Sequence, residues 1–160
     1  MYVDPSPSWE AIVLKQEEFI GKLCKEGLLP QGERPHWSKE EQESLYTSAY
    51  SLYQTGKFSD AAALFTQLIL CDPFVERSWR GLASAQQMDR KYKEALHAWA
   101  LVALMTSDDP APHLHAAECL LAIGEKIEAL KALNEVEKRL SNDVTSQTLR
   151  GKIELLRRAM

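Results

Sequence analysis

The chain has 160 residues, of which 45% are hydrophobic and 26% are charged, enough for one globular domain with its own core. Its formal net charge of -4, with Lys and Arg interspersed among Asp and Glu, excludes the basic face that a nucleic-acid backbone requires. Its apolar runs fall short of the roughly 18 residues that span a bilayer, so the sequence predicts neither a nucleic-acid nor a membrane partner.

The N-terminus and the cysteines predict where the protein works. The N-terminus is neither basic nor followed by an uncharged apolar stretch, so it does not predict a signal peptide. Cys24, Cys71 and Cys119 are odd in number and widely spaced, which argues against a disulfide framework. Both observations predict a protein of the reducing cytoplasm.

An amphipathic helix is predicted over residues 6–27, beginning at Ser6. Trp9, Ile12 and Phe19 lie toward its apolar side. The pattern fits two roles: the helix covers the repeats of its own chain, or these three residues pack on a second subunit in a homodimer.

A connector rich in proline and glycine follows at residues 27–37. After it, Ser38 and Glu41 have the spacing of a capping box, in which each residue's side chain bonds the other's backbone N–H. The sequence therefore predicts that the first helix of the next unit begins beside Ser38.

Three blocks then repeat with an offset of 34 residues, the period of tetratricopeptide repeats, at 42–75, 76–109 and 110–143. Each block has a small residue at the same fixed position in each of its two helices, which lets the helices approach closely. These residues are Ala49, Ala61, Ala83, Ala95, Ala117 and Ala129. Phe65, Trp99 and Leu133 are expected to fill the space toward the next repeat.

The sequence therefore predicts an all-α fold, in which three tetratricopeptide repeats form a concave superhelix between two flanking helices. Residues 144–160 are expected to form the C-terminal helix and to cover the open end of the third repeat. Gly56 and Gly124 supply the left-handed conformation that ends the first helix of their repeats. Arg90 stands at the equivalent position of the second repeat, which predicts that this turn closes differently.

No constellation of residues predicts catalysis. The best candidate is the stretch PHLH at 112–115, where His115 lies four residues before Cys119. His113 points about 200° away from His115 around a helix, so at most two ligands converge. The sequence predicts no enzyme, no metal site and no cofactor.

A second stripe on the first repeat helix needs a function other than packing. Leu45, Ala49 and Leu52 form the packing stripe, and a tyrosine stripe runs directly beside it. First helices line the concave surface of such a superhelix, so the second stripe predicts a peptide-binding groove. Its residues, repeat by repeat, are Tyr46, Tyr50 and Tyr53, then Arg80, Ser84 and Gln87, then Leu114, Glu118 and Leu121.

This groove is expected to be aromatic at one end, polar in the middle and apolar at the other end. Tyrosine suits a reversible site because it combines an apolar ring with a hydroxyl. The alternative is that the tyrosines pack as core under the N-terminal segment. A carboxylate clamp is not predicted, because the tyrosines occupy its cationic positions, although Arg77 and Arg80 leave room for an acidic ligand.

Three stretches carry a more specific resemblance: LYTSAYSLYQTGKF at 45–58, AAALFTQLILCDPF at 61–74 and WRGLA at 79–83. With the flanking helices they resemble the class II chaperones of bacterial type III secretion, of the low-calcium-response protein H type. The resemblance covers nearly the whole chain and is strongest from Leu45 to Cys119.

The resemblance implies a cytoplasmic chaperone that binds an extended segment of hydrophobic secreted translocator proteins in its concave groove. It implies that the tyrosines match the groove aromatics of that family, and that self-association through the N-terminal helix is a family trait. The alternative from the sequence is a scaffold or adaptor that joins other proteins through a different face and does not need the tyrosines.

Overall fold

The structure, a computed structural model, describes residues 7–29 and 32–160, and all regular elements in these ranges are helices. The predicted all-α fold is confirmed. In chain order the helices are α1 (Trp9–Glu26), α2 (Lys39–Gln54), α3 (Phe58–Cys71), α4 (Glu76–Met88), α5 (Tyr92–Met105), α6 (Ala111–Ala122), α7 (Lys126–Lys138) and α8 (Val144–Arg158). None of these helices is both long enough and apolar enough to cross a membrane.

Helices α2 to α7 form three hairpins that stack side by side. Helix α2 starts at Lys39, before the first repeat boundary, because the capping box at Ser38 begins it. Ser38 Oγ accepts a hydrogen bond from Glu41 N at 3.1 Å, and the Glu41 carboxylate accepts one from Ser38 N at 2.7 Å. This part of the sequence analysis is confirmed.

The core runs along the stack. The six alanines at the small-residue positions of the three hairpins are fully buried: Ala49, Ala61, Ala83, Ala95, Ala117 and Ala129. Phe65, Trp99 and Leu133 are buried beside them. Burying each of these large side chains stabilises the fold by about 1.5 to 3 kcal/mol in transfer free energy.

Helix α1 packs on its own chain, against α5 and α7. Its N-cap is Ser8, whose Oγ accepts from Ala11 N at 3.1 Å, and the predicted start at Ser6 lies outside the described residues. Trp9 is 1% exposed, and its indole N–H donates to His113 Nδ1 at 3.2 Å. Helix α1 is thus a cover of its own repeats.

The packing of α1 corrects, for Trp9 and Ile12, the alternative in which these residues pack on a second subunit. Trp9 and Ile12 are buried within the chain, so their apolar surface is already covered. Phe19 is half-buried and meets the Trp79 ring edge-on, with centroids 6.5 Å apart.

Burial lowers the pKa of His113 to about 4, which keeps its ring neutral and able to accept the hydrogen bond from the Trp9 indole.

The turns inside the three hairpins close alike. Gly56 and Gly124 have φ angles of 79° and 86°, as expected. Arg90 takes the same left-handed conformation, with φ 61°, so the prediction of a different second turn is wrong. The closing bond from the residue after it, Lys91 N to Gln86 O, is 2.9 Å long and matches that from Lys57 N to Leu52 O in the first hairpin.

Helix α8 lies beyond the third hairpin, next to α7. Ile153 is buried, and Leu149 and Leu156 pack against the core. Lys152 on this helix reaches Glu118 on α6, with Nζ 2.6 Å from the carboxylate. The C-terminal helix therefore touches both helices of the third repeat.

Candidate functional site

The three tyrosines of α2 line one concavity together with the facing side of α4. It has a volume of about 170 Å³, and we call it the tyrosine pocket. Its walls are Tyr46, Tyr50 and Tyr53 on α2 and Arg77, Arg80, Gly81 and Ser84 on α4, with Phe65 of α3 at its base. Five of the nine predicted groove residues thus meet at the junction of the first and second repeats.

The tyrosines differ in how far the fold covers them. Tyr50 is 48% exposed. Tyr46 is half-buried and meets the Phe65 ring edge-on at 5.7 Å, and Tyr53 meets Phe58 in the same way at 5.5 Å. The tyrosines therefore do not lie under α1, which packs on α5 and α7. Tyr50 is the one whose ring is most available to a ligand.

The base of the pocket depends on a missing side chain. Gly81 lies inside α4, and a Cβ built on it would stand only 2.3 Å from Cε1 of Phe65. Real Cβ atoms do not come so close to a ring. The phenyl ring of Phe65 therefore occupies the space that a side chain at position 81 would take.

Both arginines at the pocket already have carboxylate partners. Arg77 donates to the Glu43 carboxylate and lies over the Tyr46 ring, 4.3 Å from its centroid. Arg80 bonds Glu76 at 2.5 Å and Asp109 at 2.8 Å. An acidic ligand would have to compete with these carboxylates, so the pocket favours an apolar group over an anion.

A polar network occupies the equivalent surface between the second and third repeats. Its centre is Glu118, which accepts from Gln87 Nε2 at 2.9 Å and bonds His115 Nδ1 at 3.0 Å and Lys152 Nζ at 2.6 Å. Gln87 Oε1 in turn accepts from the Trp99 indole N–H at 2.9 Å. Burial alone would raise the pKa of Glu118, but these hydrogen bonds outweigh it and hold the pKa at about 2.

The third repeat does not supply the expected apolar end of the groove. Leu114 is 3% exposed, so it belongs to the core and its prediction as a groove residue is wrong. Leu121 is half-buried against the core, and Glu118 is engaged in the network. Helix α6 is covered on more sides than α2, because it packs between α5 and α7 and is reached by Lys152 of α8, whereas α2 packs mainly on α3.

Two residues of the site were missed by sequence reasoning. Phe65 was assigned to the core alone, and Gly81 was assigned no role. The 34-residue repeat offset could have identified them, because it pairs Phe65 with Trp99 and Gly81 with His115. The rings of Trp99 and His115 stack 4.4 Å apart at an interplanar angle of 14°, so the equivalent pair in the first junction also lies in contact.

His115 and Cys119 do not form a metal site in this fold. His115 stacks on Trp99 and bonds Glu118, while Cys119 is buried. Burial raises the pKa of the Cys119 thiol to about 12, which disfavours the thiolate that binds metals. Across residues 7–29 and 32–160, no three His, Cys, Asp or Glu side chains are grouped to hold an ion.

Comparisons with known proteins support the fold. The family profile described as "Tetratricopeptide repeat" matches residues 43–70. The low calcium response locus protein H of Yersinia pestis is 38% identical over 96 residues, which cover 60% of this chain and 57% of the relative. The chain thus matches a little more than half the length of that relative.

Solved structures match more fully. The Yersinia enterocolitica translocator chaperone SycD, in complex with a peptide of the translocator YopD, is 31% identical, with a TM-score of 0.72. The match covers 78% of this chain and 95% of SycD, which has also been crystallised as an alternative dimer. Pseudomonas aeruginosa PcrH, bound to the chaperone binding region of PopD, is 28% identical, with a TM-score of 0.71 over 79% of this chain and 95% of PcrH.

Proposed function

Because the chain belongs to the family of type III secretion translocator chaperones that includes SycD, we propose that it binds a hydrophobic translocator protein through an extended segment. The tyrosine pocket is the binding site, and the bound translocator stays soluble until it is exported. The observation that carries this proposal is an open, largely apolar concavity on the first helices, walled by three tyrosines.

The bound translocator, called the client below, lacks a partner of its own for its apolar surface before export. A translocator before export exposes apolar surface that would associate with other copies of itself. A preformed concavity with aromatic walls covers one apolar anchor, and the tyrosine hydroxyls stay hydrated when the site is empty. Such a chaperone needs no catalysis and no cofactor, and it acts in the bacterial cytoplasm before secretion.

The proposal is tested with the YopD peptide that SycD binds and the PopD region that PcrH binds, titrated onto the purified full chain. We expect binding of at least one of them, and Tyr50→Ala should raise its dissociation constant about tenfold or more, the usual cost of losing an aromatic anchor. Phe74→Ala is the matched control, because Phe74 is 53% exposed but does not line the pocket.

Two results would contradict the proposal: neither peptide binds the unmodified protein, or Tyr50→Ala and Phe74→Ala change the affinity equally. If the parent, Tyr50→Ala and Phe74→Ala all bind a protein partner with the same affinity, the result favours the scaffold or adaptor function, which uses another face. The concavity of about 320 Å³ between α1, α4 and α5, on the side of the molecule that α1 covers, is the first surface to mutate in that case.

Self-association, where it occurs through α1, is proposed to use the outward side of that helix. Leu14 is 64% exposed there, whereas Trp9 and Ile12 are buried. Leu14→Asp should then lower the mass measured by light scattering without changing the melting temperature. An unchanged mass from an oligomeric parent would exclude this face.

A further inference from the structure

The two junctions between successive repeats share one structurally equivalent position. It is left open at the first junction and is filled by a side chain at the second. Phe65 and Trp99 are the large residues at the end of the first and second repeats, 34 positions apart. Each ring meets the first helix of the following repeat, at Gly81 in one case and at His115 in the other. Gly81 and His115 are likewise 34 positions apart, so the two pairs are structural equivalents.

At the second junction this position is closed. The His115 ring lies flat on the Trp99 indole, with centroids 4.4 Å apart. His115 is further held by Glu118, which also bonds Lys152 of α8. A ligand side chain could reach Trp99 only by breaking this stack and its hydrogen bond.

At the first junction the same position is open. Gly81 has no side chain, so the edge of the Phe65 ring reaches the tyrosine pocket and forms its base. Three atoms of that ring lie 2.3 to 2.6 Å from where a Cβ would stand. Glycine inside a helix lowers stability, so its presence in the middle of α4 calls for a compensating reason, and the space for the ring supplies one.

We propose that Gly81 sets the size of an anchor pocket for one apolar side chain of the client, and that His115 closes the equivalent place at the next junction. This inference rests on the proposed function. The pocket volume of about 170 Å³ is close to that of an engineered cavity of about 150 Å³ that holds benzene, so one such side chain fits. Since Arg77 and Arg80 are paired with carboxylates, the anchor is apolar rather than acidic.

The probes are single capped residues, the N-acetyl amides of glycine, valine, leucine and phenylalanine, titrated onto the full chain and followed by amide chemical shifts. We expect the leucine amide to shift Gly81 and its neighbours saturably and the glycine amide to leave them unchanged. Gly81→Ala should weaken leucine-amide binding about tenfold or more, because its Cβ displaces the ring that forms the base.

Stability gives a second readout with opposite signs. Gly21→Ala in α1 and Gly151→Ala in α8 are matched controls, since a Cβ at either site meets nothing within 4 Å. Both should raise the melting temperature, because alanine favours a helix interior over glycine. Gly81→Ala should lower it. In the double variant Gly81→Ala with Phe65→Leu, the clashing ring is gone, so leucine-amide binding should return and the phenylalanine amide should bind better than to the parent.

The inference is overturned if the parent does not bind the leucine amide, or if Gly81→Ala melts later and binds as the parent does. Should Gly81→Ala fail to fold, the double variant decides: its folding and changed size preference support the inference, and its failure to fold overturns it. A parent that binds the leucine amide but neither translocator peptide would contradict the proposed function and leave the pocket assignment standing.

Discussion

The junction between the first and second repeats and the junction between the second and third share one geometry and differ in chemistry. The first has Phe65 against Gly81 and an open pocket, whereas the second has Trp99 under His115 and a hydrogen-bonded network. The alanines that set the helix spacing are buried identically at both. The repeat signature therefore determines the scaffold, and the residues between signature positions determine which junction is open.

The largest expected effect is the loss of unfolding free energy when either of the two large rings, Phe65 or Trp99, is removed. Phe65→Ala and Trp99→Ala should each cost about 3 to 5 kcal/mol of unfolding free energy, as other large aromatic deletions in cores do. Trp99→Ala should lie at the upper end, because Gln87 Oε1 loses its donor and His115 loses its stacking partner. Urea denaturation measures both costs, provided that the m-values of the variants equal that of the parent. A cost for Trp99→Ala below that for Phe65→Ala would break the comparison.

The network around Glu118 should make the second junction sensitive to acid. Glu118→Gln is expected to lower the unfolding free energy by about 2 kcal/mol at neutral pH, since hydrogen bonds to a charged group contribute about 1.5 to 3 kcal/mol. The pKa of Glu118 is about 2 in the folded protein, below its ordinary 4.5. Its stabilisation is therefore complete above pH 4.5 and is lost as the pH falls toward 2.

The measurement is the difference in unfolding free energy between the parent and Glu118→Gln from pH 7 down to pH 2.5. His113, with a pKa of about 4 instead of 6.5, lowers stability between those two values as the pH falls. It does so in both proteins, so it cancels in the difference. A difference that stays constant below pH 4.5 would show that Glu118 is not held ionised by its partners.

Opening the closed junction should create a second pocket. His115→Gly removes the ring that covers Trp99, and we expect the N-acetyl leucine amide to bind there about tenfold more tightly than to the parent at that place, or by ~1.4 kcal/mol. The shift of the Trp99 indole N–H resonance reports the binding. His115→Phe is the matched control, because it also loses the bond to Glu118 but keeps a flat ring over the indole. Equal binding to both variants would mean that the ring does not close the junction.

The fold was predictable from the sequence because helix periodicity and the repeat offset act locally. They place Tyr46, Tyr50 and Tyr53 on one side of α2, and the structure has all three lining one pocket. Periodicity does not say how much of a helix its neighbours cover, which is why Leu114 was placed in the groove and is buried. The bonds of Glu118 to Gln87 and Lys152 join the second repeat, the third repeat and the C-terminal helix, so only the assembled superhelix fixes them.

The smallest expected effect is that of Arg90→Gly, which tests whether the turns of the three hairpins are equivalent. Arg90 adopts φ 61°, a conformation that costs a non-glycine residue about 1 to 2 kcal/mol, and its side chain is exposed. Arg90→Gly removes that strain, while the greater freedom of glycine in the unfolded chain offsets part of the gain. We expect a net stabilisation of about 0.5 to 1 kcal/mol, or roughly 1 to 4 °C in melting temperature.

Gly56→Ala and Gly124→Ala are the controls for this turn, since each would place a Cβ in open space at a left-handed position, where only the backbone conformation is penalised. Both should lower the melting temperature by a similar amount, because alanine at a positive φ is strained. If Arg90→Gly stabilises while these two destabilise, all three hairpins end their first helix in the same way, and Arg90 is a strained member of the set. If Arg90→Gly destabilises the protein as well, the second turn does not adopt the left-handed conformation, and the turn closes differently after all.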